Sequence, residues 1–288
     1  MLWTLTGIAA LVLTVTLGAR TSTRVAENRI AGARAGWHAE GCAAMVRARA
    51  DSALVASEHP ARVWLNLDSL LTSSGVRDGC TLQVRAHGAT ADINRLGEAQ
   101  LRSLLGALGR SRAWRDSLTD AILDWRDPDG AVRAHGAEAE WYDAAVRPRP
   151  RNAPFASTRE IALVRGAEAA GLDSVLGADS GRVLLTRAPV AALVAIDGID
   201  EELARAIVAA RVRGDTVGID AVAATVSPWS GAAFLRNRLD VMRRVTNTPE
   251  RWAVVVRSTQ PVAEWAGVIK LTLARHNTRA AVVEWRRR

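Results

Sequence analysis

The first part of the chain carries an uncharged, mostly apolar run that passes directly into helix-forming sequence. The run, Leu2 to Leu17, reads LWTLTGIAALVLTVTL, and at 1.5 Å per residue it would span about 24 Å as a helix. That is several residues short of a bilayer core. Alanine, arginine and glutamate dominate the sequence that follows, up to about Val55. This layout predicts one long helix with an apolar first half and an amphipathic second half.

The apolar run leaves three topologies open. A cleaved signal peptide needs basic residues before the run and a small-residue cleavage site after it, and neither occurs around Met1 or between Gly18 and Thr21. A signal anchor followed by a coil is the second topology. The third is an anchoring helix with the body outside the cytoplasm. It requires a basic leader upstream of Met1, because the arginines after the run would otherwise keep that side in the cytoplasm. These arginines are Arg20, Arg24, Arg29 and Arg34.

The composition is that of an ordered, basic protein. The 288 residues include 49% hydrophobic and 24% charged residues, enough to bury one or two cores. The net charge of +8 comes almost entirely from arginine, since Lys270 is the single lysine. Nucleic acid and anionic membrane are therefore candidate partners, although charge alone favours neither.

Two cysteines, Cys42 and Cys80, are present. They exclude a zinc site built from cysteines and permit one disulfide in an oxidising compartment. Two small buried thiols are the alternative interpretation.

Short segments with alternating apolar and polar residues flank a central block of different character. This pattern is typical of half-buried strands, and we expect the segments to pair into one antiparallel sheet. They are Arg62–Leu67 and Cys80–His87, around the turn-rich Thr72–Gly75, and then Trp252–Ser258, Val262–Ala274 and Arg279–Trp285.

In the central block, from Ile93 to about Arg244, apolar residues recur at the helical period. The clearest stretches are Glu98–Leu108, Trp114–Trp125, Thr158–Val164 and Val190–Arg211. The order predicts an α+β fold, with the long N-terminal helix packed on an antiparallel sheet and a large all-α domain inserted between strands. The predicted boundaries are 1–19 for a transmembrane part of the helix, 20–60 for its continuation, 61–91 and 245–288 for the two parts of the sheet, and 92–244 for the insert.

Six carboxylates are concentrated in one segment of the insert, DWRDPDGAVRAHGAEAEWYD. Such a turn-rich loop frees backbone carbonyls and gathers oxygen ligands, which suits Ca²⁺. It suits zinc less, because His135 is the only nitrogen ligand nearby. The segment predicts a structural calcium site, although its spacing is not that of an EF-hand. The candidate ligands are Asp124, Asp127, Asp129, Glu138, Glu140 and Asp143.

Two other uses of these acids stay open. They can act as turn formers, helix caps and ion-pair partners for the neighbouring Arg126, Arg133 and Arg147. Two of them could instead be the acid and base of a glycosidase, but few aromatic residues accompany them to form a sugar platform.

Residues 189–211 resemble a helix-hairpin-helix, in which a glycine-containing turn between two helices often presents backbone N–H groups to a DNA phosphate. Here Asp200 stands where DNA-binding versions have a second glycine, and Asp197, Glu201 and Glu202 surround it. An approaching phosphate would meet several negative charges. We interpret the segment as a packing unit. A membrane-tethered DNA-binding protein is the alternative function.

The common catalytic motifs do not occur in the sequence. It contains no GxxxxGKS or GxxxxGKT, no GxSxG, no HExxH and no cysteine with a plausible histidine partner. We therefore expect no catalytic site, no cofactor other than calcium, and no small-molecule substrate.

Several short and unusual sequence motifs ("words") occur together along the insert. They are DIN at Asp92–Asn94, DWRDPDG at Asp124–Gly130, GAE at Gly136–Glu138 and PRNAPF at Pro150–Phe155. The last is followed by a helical stretch that ends in VRG at Val164–Gly166. In this order they resemble the general secretion pathway protein K family, the minor pseudopilins of the bacterial type II secretion system.

The resemblance implies a pilin-like long helix and sheet with a helical insert. It further implies assembly with other minor pseudopilins at the pseudopilus tip, an inner-membrane anchor with the body in the periplasm, a role in protein export across the outer membrane, and calcium bound in the helical domain. The acids Asp127, Asp129, Glu138 and Asp143 fall where these ligands are expected. The family's leader-peptidase glycine is missing, whereas the lack of an acid in Leu2–Leu17 agrees with the family.

Overall fold

The computed structural model describes most of the chain. The described residues are 2–56, 63, 66–67, 69–70, 80–168, 171–178, 181–213, 218–249, 251–259, 262–274 and 277–287. They form two compact units, one made of Met1–Arg85 with Trp252–Arg288 and the other of Ala86–Arg251.

The first unit is built on one long helix, α1 (Leu2–Val55), as the sequence predicts. In its second half, Ala35, Cys42, Val46 and Ala50 recur at helical spacing and are buried. The helix contacts two strands, β7 (Val262–Ala274) and β8 (Asn277–Arg287). Cys42 is disulfide-bonded, and the sequence offers Cys80 as its partner. Within the described residues, no helix has the length and apolarity that a membrane span requires.

Within the described part of this unit, the sheet has four strands in the order β1–β6–β7–β8, where β1 is Cys80–Ala86 and β6 is Arg251–Thr259. Strands β7 and β8 are antiparallel, from Trp265 opposite Arg287 to Ala274 opposite Asn277. The second unit lies in sequence between β1 and β6, which are neighbours in the sheet. The predicted α+β fold, with a domain inserted between strands, is therefore confirmed.

The strand predicted at Arg62–Leu67 is wrong where the structure describes it. Residues 63, 66–67 and 69–70 are helical. The reason is visible in the apolar residues Val63, Leu67 and Leu70, which recur at intervals of four and three, the helical period. Leu67 is buried at 1% exposure. The predicted turn Thr72–Gly75 lies outside the described residues.

The second unit is mainly helical. Ser111 caps one helix by accepting a hydrogen bond from the Trp114 N–H, and Ser227 caps another, whose first residue is Pro228. The α-helices are α2 (Glu98–Gly106), α3 (Arg112–Arg126), α4 (Ala139–Ala144), α5 (Val190–Leu193), α6 (Glu201–Val212), α7 (Ile219–Ala223) and α8 (Pro228–Arg244), and Thr158–Leu163 and Leu172–Ser174 form 3-10 helices.

The second unit also contains two pairs of very short parallel strands, which the sequence did not predict. β2 (Ala91–Asp92) pairs with β3 (Leu176–Gly177), and β4 (Val183–Leu184) pairs with β5 (Val245–Thr246). A two-residue strand shows no measurable alternation, so periodicity cannot reveal it. These pairs join segments of the insert that lie far apart in sequence.

Aromatic packing holds α3 against α4 and against the loop that carries Phe155. The Trp125 ring meets Tyr142 edge to face at 5.3 Å and stacks on Phe155 at 6.2 Å. All three side chains are buried. Contacts of this kind add to the free energy gained from burial alone, and they fix the loops around the end of α3 where the candidate acids lie.

Candidate metal centre

Two aspartates of α3, one helical turn apart, hold the loop of residues 131–137. Asp120 Oδ2 accepts the His135 N–H at 3.1 Å, and Asp124 Oδ2 accepts the Arg133 N–H at 3.3 Å. Gly136 lies directly against the second carboxylate, because a Cβ at this position would be 1.9 Å from Asp124 Oδ2. The loop can cross the Asp124 carboxylate only with glycine at position 136.

Several side-chain oxygens next to this loop are buried without hydrogen bonds. Glu138 is 4% exposed, and neither of its carboxylate oxygens has a hydrogen-bond partner in the described part of the chain. The same holds, among those residues, for Asp127 Oδ1 and Asn152 Oδ1. Asp124 Oδ1 also accepts no hydrogen bond there, but it lies 3.3 Å from the Arg133 Nε in an ion pair. Buried acceptors left unpaired cost free energy, so this group of oxygens fits a cation.

The carboxylates of this group repel one another. Burial raises the pKa of Glu138, and the charges of Asp124, Asp127 and Asp129 raise it further. Burial also raises the pKa of Asp124. The hydrogen bond from the Arg133 N–H lowers this pKa, and the charge of Asp127 raises it. Four of the six candidate ligands therefore lie close enough to interact electrostatically.

Arg133 supplies positive charge to these acids. Its Nε lies 3.3 Å from Asp124 Oδ1, and its Nη2 lies 3.2 Å from Asp127 Oδ2. The ion-pair alternative considered for the acids thus applies to Arg133. It does not apply to the other two arginines, because Arg126 donates to the carbonyls of Ile93 and Leu96, and Arg147 pairs with Glu168.

The remaining candidate ligands have different surroundings. Arg149 holds Asp143 through hydrogen bonds of 2.7 and 2.6 Å and lowers the pKa of that carboxyl. Glu140 is exposed in the first turn of α4. Asp129 Oδ1 accepts the Ala131 N–H at 2.9 Å in a local turn. The His135 residue is exposed, and the loop holds it by its backbone.

Asn152 is a candidate ligand that sequence reasoning missed. It has a left-handed φ of 48°, its N–H donates to the Trp125 carbonyl at 3.0 Å, and its Nδ2 donates to the Asp129 carbonyl at 2.6 Å. These bonds fix the side-chain amide beside the acids. The available signal was the asparagine in the word PRNAPF. Among the described residues, no group of three or more His, Cys, Asp or Glu side chains is arranged so that it could hold a metal ion.

Hydrogen bonds connect the unusual words of the sequence to one another. Asn94 of DIN bonds twice with the backbone of Phe155 in PRNAPF. Arg165 of VRG donates from Nη1 to the Gly136 carbonyl of GAE at 2.9 Å, and its guanidinium lies 5.1 Å from the centroid of the Trp141 ring. The words are therefore parts of one site around the end of α3.

The helix-hairpin-helix segment is closed to an anion by its own acids. Asp200 caps α6, accepting the Leu203 N–H at 2.9 Å and the Ser230 hydroxyl at 2.6 Å. The turn before it has a left-handed φ of 96° at Gly198, where a Cβ would lie 2.6 Å from Asn237 Cβ. The Leu203 N–H at the start of α6 is therefore already bonded to a carboxylate, and the turn packs on α8.

The chain is similar to known proteins of type II secretion systems, in sequence to a family model and in fold to a solved structure. The chain has a fold similar to a structure of the GspK-GspI-GspJ complex from the enterotoxigenic Escherichia coli type 2 secretion system, with a TM-score of 0.63 and 16% sequence identity, covering 91% of this chain and 98% of that chain. No curated protein matches by sequence. The family model of type II secretion system protein K matches residues 64–176. The matched segment contains all of these motifs, from DIN at Asp92–Asn94 to VRG at Val164–Gly166, and the resemblance that they carry is confirmed there.

Proposed function

We propose that the chain is a minor pseudopilin, a structural subunit that assembles with other minor pseudopilins at the pseudopilus tip and supports protein export across the outer membrane. Two observations carry the proposal. Residues of the motifs shared with the family are hydrogen-bonded to one another. These motifs lie in a helical unit that is inserted between neighbouring strands of a helix-and-sheet unit. The similarity to the GspK-GspI-GspJ complex supports the class of partner. A body built in this way serves assembly and needs no catalytic residues.

The first half of α1 is proposed to anchor the subunit in the inner membrane, with the body in the periplasm. Leu11, Leu13 and Leu17 are more than half exposed, and the Thr14 and Thr21 hydroxyls donate back to carbonyls of the same helix. Polar groups satisfied in this way are tolerated in lipid. The disulfide bond at Cys42 supports an oxidising compartment for the body.

Calcium is proposed to bind at the carboxylates beside the loop of residues 131–137. The residues fit this ion, because Asp124, Asp127, Glu138 and Asn152 all hold buried oxygens without hydrogen bonds in the described part of the chain, and oxygen ligands are what Ca²⁺ prefers. When bound, the ion would supply positive charge to the repelling carboxylates beyond that of Arg133. The side chains would then tie the loop and Asn152 to the end of α3.

The metal proposal is tested by thermal unfolding with and without calcium chloride. We expect a higher Tm with calcium, because a ligand at 100 times its Kd stabilises a protein by about 2.7 kcal/mol. Asp127→Ala and Glu138→Ala should abolish the increase. Asp143→Asn is the matched control and should keep it, because Asp143 is paired with Arg149. An unchanged Tm of the unmodified protein would remove the metal assignment.

The export role is tested in the source bacterium after deletion of the gene. We expect proteins that this secretion system exports to accumulate in the periplasm and to be exported again when the full-length gene is restored. The measurement is the distribution of one such protein between periplasm and medium. Normal export by the deletion strain would contradict the proposed role.

A further inference from the structure

The outer face of α8 is apolar and exposed. Trp229, Leu235 and Leu239 are 78%, 66% and 72% exposed, whereas Phe234 and Val241 of the same helix are buried. At 100° per residue the three exposed side chains fall within an arc of about 120°. Single exposed apolar residues are ordinary, but a tryptophan and two leucines along one face of one helix form a patch.

The same face ends in a basic cavity of about 180 Å³. Arg243 follows Leu239 by one turn and lines this cavity with Arg95, Arg182 and Arg244. Apolar residues, including Leu96 and Ile196, line it as well.

Two of the arginines that line the cavity lie beside acids. Asp92 lies 3.5 Å from Arg95, and Asp240 lies 2.8 Å from Arg244. Arg243 forms no ion pair with any residue in the described ranges, and the same is true of Arg236, which is exposed on the apolar face. Positive charge therefore remains at the cavity and beside the three apolar side chains.

We propose that the outer face of α8, from Trp229 to Arg243, together with the arginine cavity, is a docking surface for an acidic amphipathic segment of a partner protein. The apolar side chains of that segment cover Trp229, Leu235 and Leu239, and one of its carboxylates enters the cavity. Planar guanidinium groups match a carboxylate with two parallel hydrogen bonds. The inference does not depend on the pseudopilin assignment.

The dimensions define the partner segment. The face spans about 21 Å along the helix axis, which corresponds to about four turns of a helix packed alongside it. The concave cavity suits a single inserted side chain better than the flat surface of a membrane. A protein segment is therefore the occupant that both features favour, and a lipid surface is the outcome that would contradict the proposal.

The test uses the full chain in phosphatidylcholine nanodiscs and a dye-labelled synthetic helical peptide, with leucines on one face and glutamates beside them. Fluorescence anisotropy measures binding, with empty nanodiscs as the blank. We expect saturable binding that Leu239→Ser or Arg243→Gln weakens by about tenfold or more, as for a residue central to an interface. Val212→Ser, at a site 79% exposed on α6, is the matched control and should leave the affinity unchanged.

Four results would overturn the proposal. The first is no saturable binding of the glutamate peptide. The second is equal binding of a peptide with lysine in place of each glutamate. The third is equal binding of the glutamate peptide by the Leu239→Ser and Arg243→Gln variants. The fourth is binding of phosphatidylglycerol vesicles that these substitutions weaken while the peptide does not bind, which would make the face a membrane surface.

Discussion

Asn94 and Phe155 are joined by two hydrogen bonds, although they lie far apart in the sequence. The Phe155 N–H donates to Asn94 Oδ1 at 2.8 Å, and Asn94 Nδ2 donates to the Phe155 carbonyl at 3.0 Å. One side chain therefore satisfies both polar groups of a buried residue's backbone. This pair connects the start of the insert to the loop that carries Asn152.

Replacing Asn94 with alanine should destabilise the protein. Both backbone groups of Phe155 would lose their partner, at a cost of about 1 to 3 kcal/mol in the free energy of unfolding. Urea unfolding measures the change. Asn28→Ala, at an exposed position of α1, is the control and should change that free energy by less than about 0.5 kcal/mol. Equal effects of the two substitutions would contradict the role of Asn94.

The close approach of Gly136 to Asp124 leads to a second prediction. Gly136→Ala would place a Cβ 1.9 Å from Asp124 Oδ2, so the carboxylate or the loop must move. We expect a loss of about 1 to 3 kcal/mol in unfolding free energy, typical of overpacking, and weaker calcium binding. Gly130→Ala is the matched control, because nothing lies within 4 Å of a Cβ there. A fully stable Gly136→Ala protein would refute the tight contact.

Arg133 and calcium should compete for the same carboxylates. Because the guanidinium lies 3.3 Å from Asp124 Oδ1 and 3.2 Å from Asp127 Oδ2, it must withdraw before a cation can use these oxygens. Arg133→Gln should therefore bind calcium about tenfold more tightly, or about 1.4 kcal/mol. Isothermal titration calorimetry measures the affinity, with Arg149→Gln as the control. Weaker binding by Arg133→Gln would mean that Arg133 supports the site.

The pair of Asp220 and Arg238 should make stability depend on pH in one direction. Arg238 donates to both oxygens of Asp220, at 2.6 and 3.0 Å, and thereby lowers the pKa of Asp220 from 3.8. A carboxyl with a lowered pKa stabilises the folded state above its unfolded pKa, and this contribution disappears as the pH falls through the folded value.

Asp220→Asn should therefore be less stable than the unmodified protein at pH 7, and the difference should shrink as the pH falls below 3.8. Both groups are exposed to solvent, so the effect at pH 7 should be small. Urea unfolding at a series of pH values measures it. A difference that grows on acidification would have the wrong sign and would contradict the ion-pair account.

The fold was predictable where the sequence carried a clear period. The long helix α1 and the strands Val262–Ala274 and Asn277–Arg287 follow from runs long enough to show helical spacing or alternation. The pattern of residues 62–67 predicts a strand wrongly because six residues are too few to separate the helical period from alternation. The two-residue parallel strands depend on pairing between distant segments, which no local pattern encodes.

The type of ligand at the candidate site could be predicted from the sequence, but the full set of residues that form the site could not. Local density of carboxylates identified Asp124, Asp127, Asp129 and Glu138, which interact electrostatically in the structure. The same density also included Asp143, which Arg149 holds instead. Asn152 reaches the acids only through tertiary folding, because the bonds that place it run to Trp125 and Asp129. Spacing along the chain cannot reveal such contacts.

The central claim is that this chain is a subunit of a minor pseudopilin complex. The most direct measurement is size-exclusion chromatography of the full chain, purified in detergent and mixed with the two minor pseudopilins of the same secretion system. The account predicts that the three proteins elute together earlier than any one of them, in a constant ratio across the peak. Separate elution of this chain at concentrations where the other two associate would contradict the account.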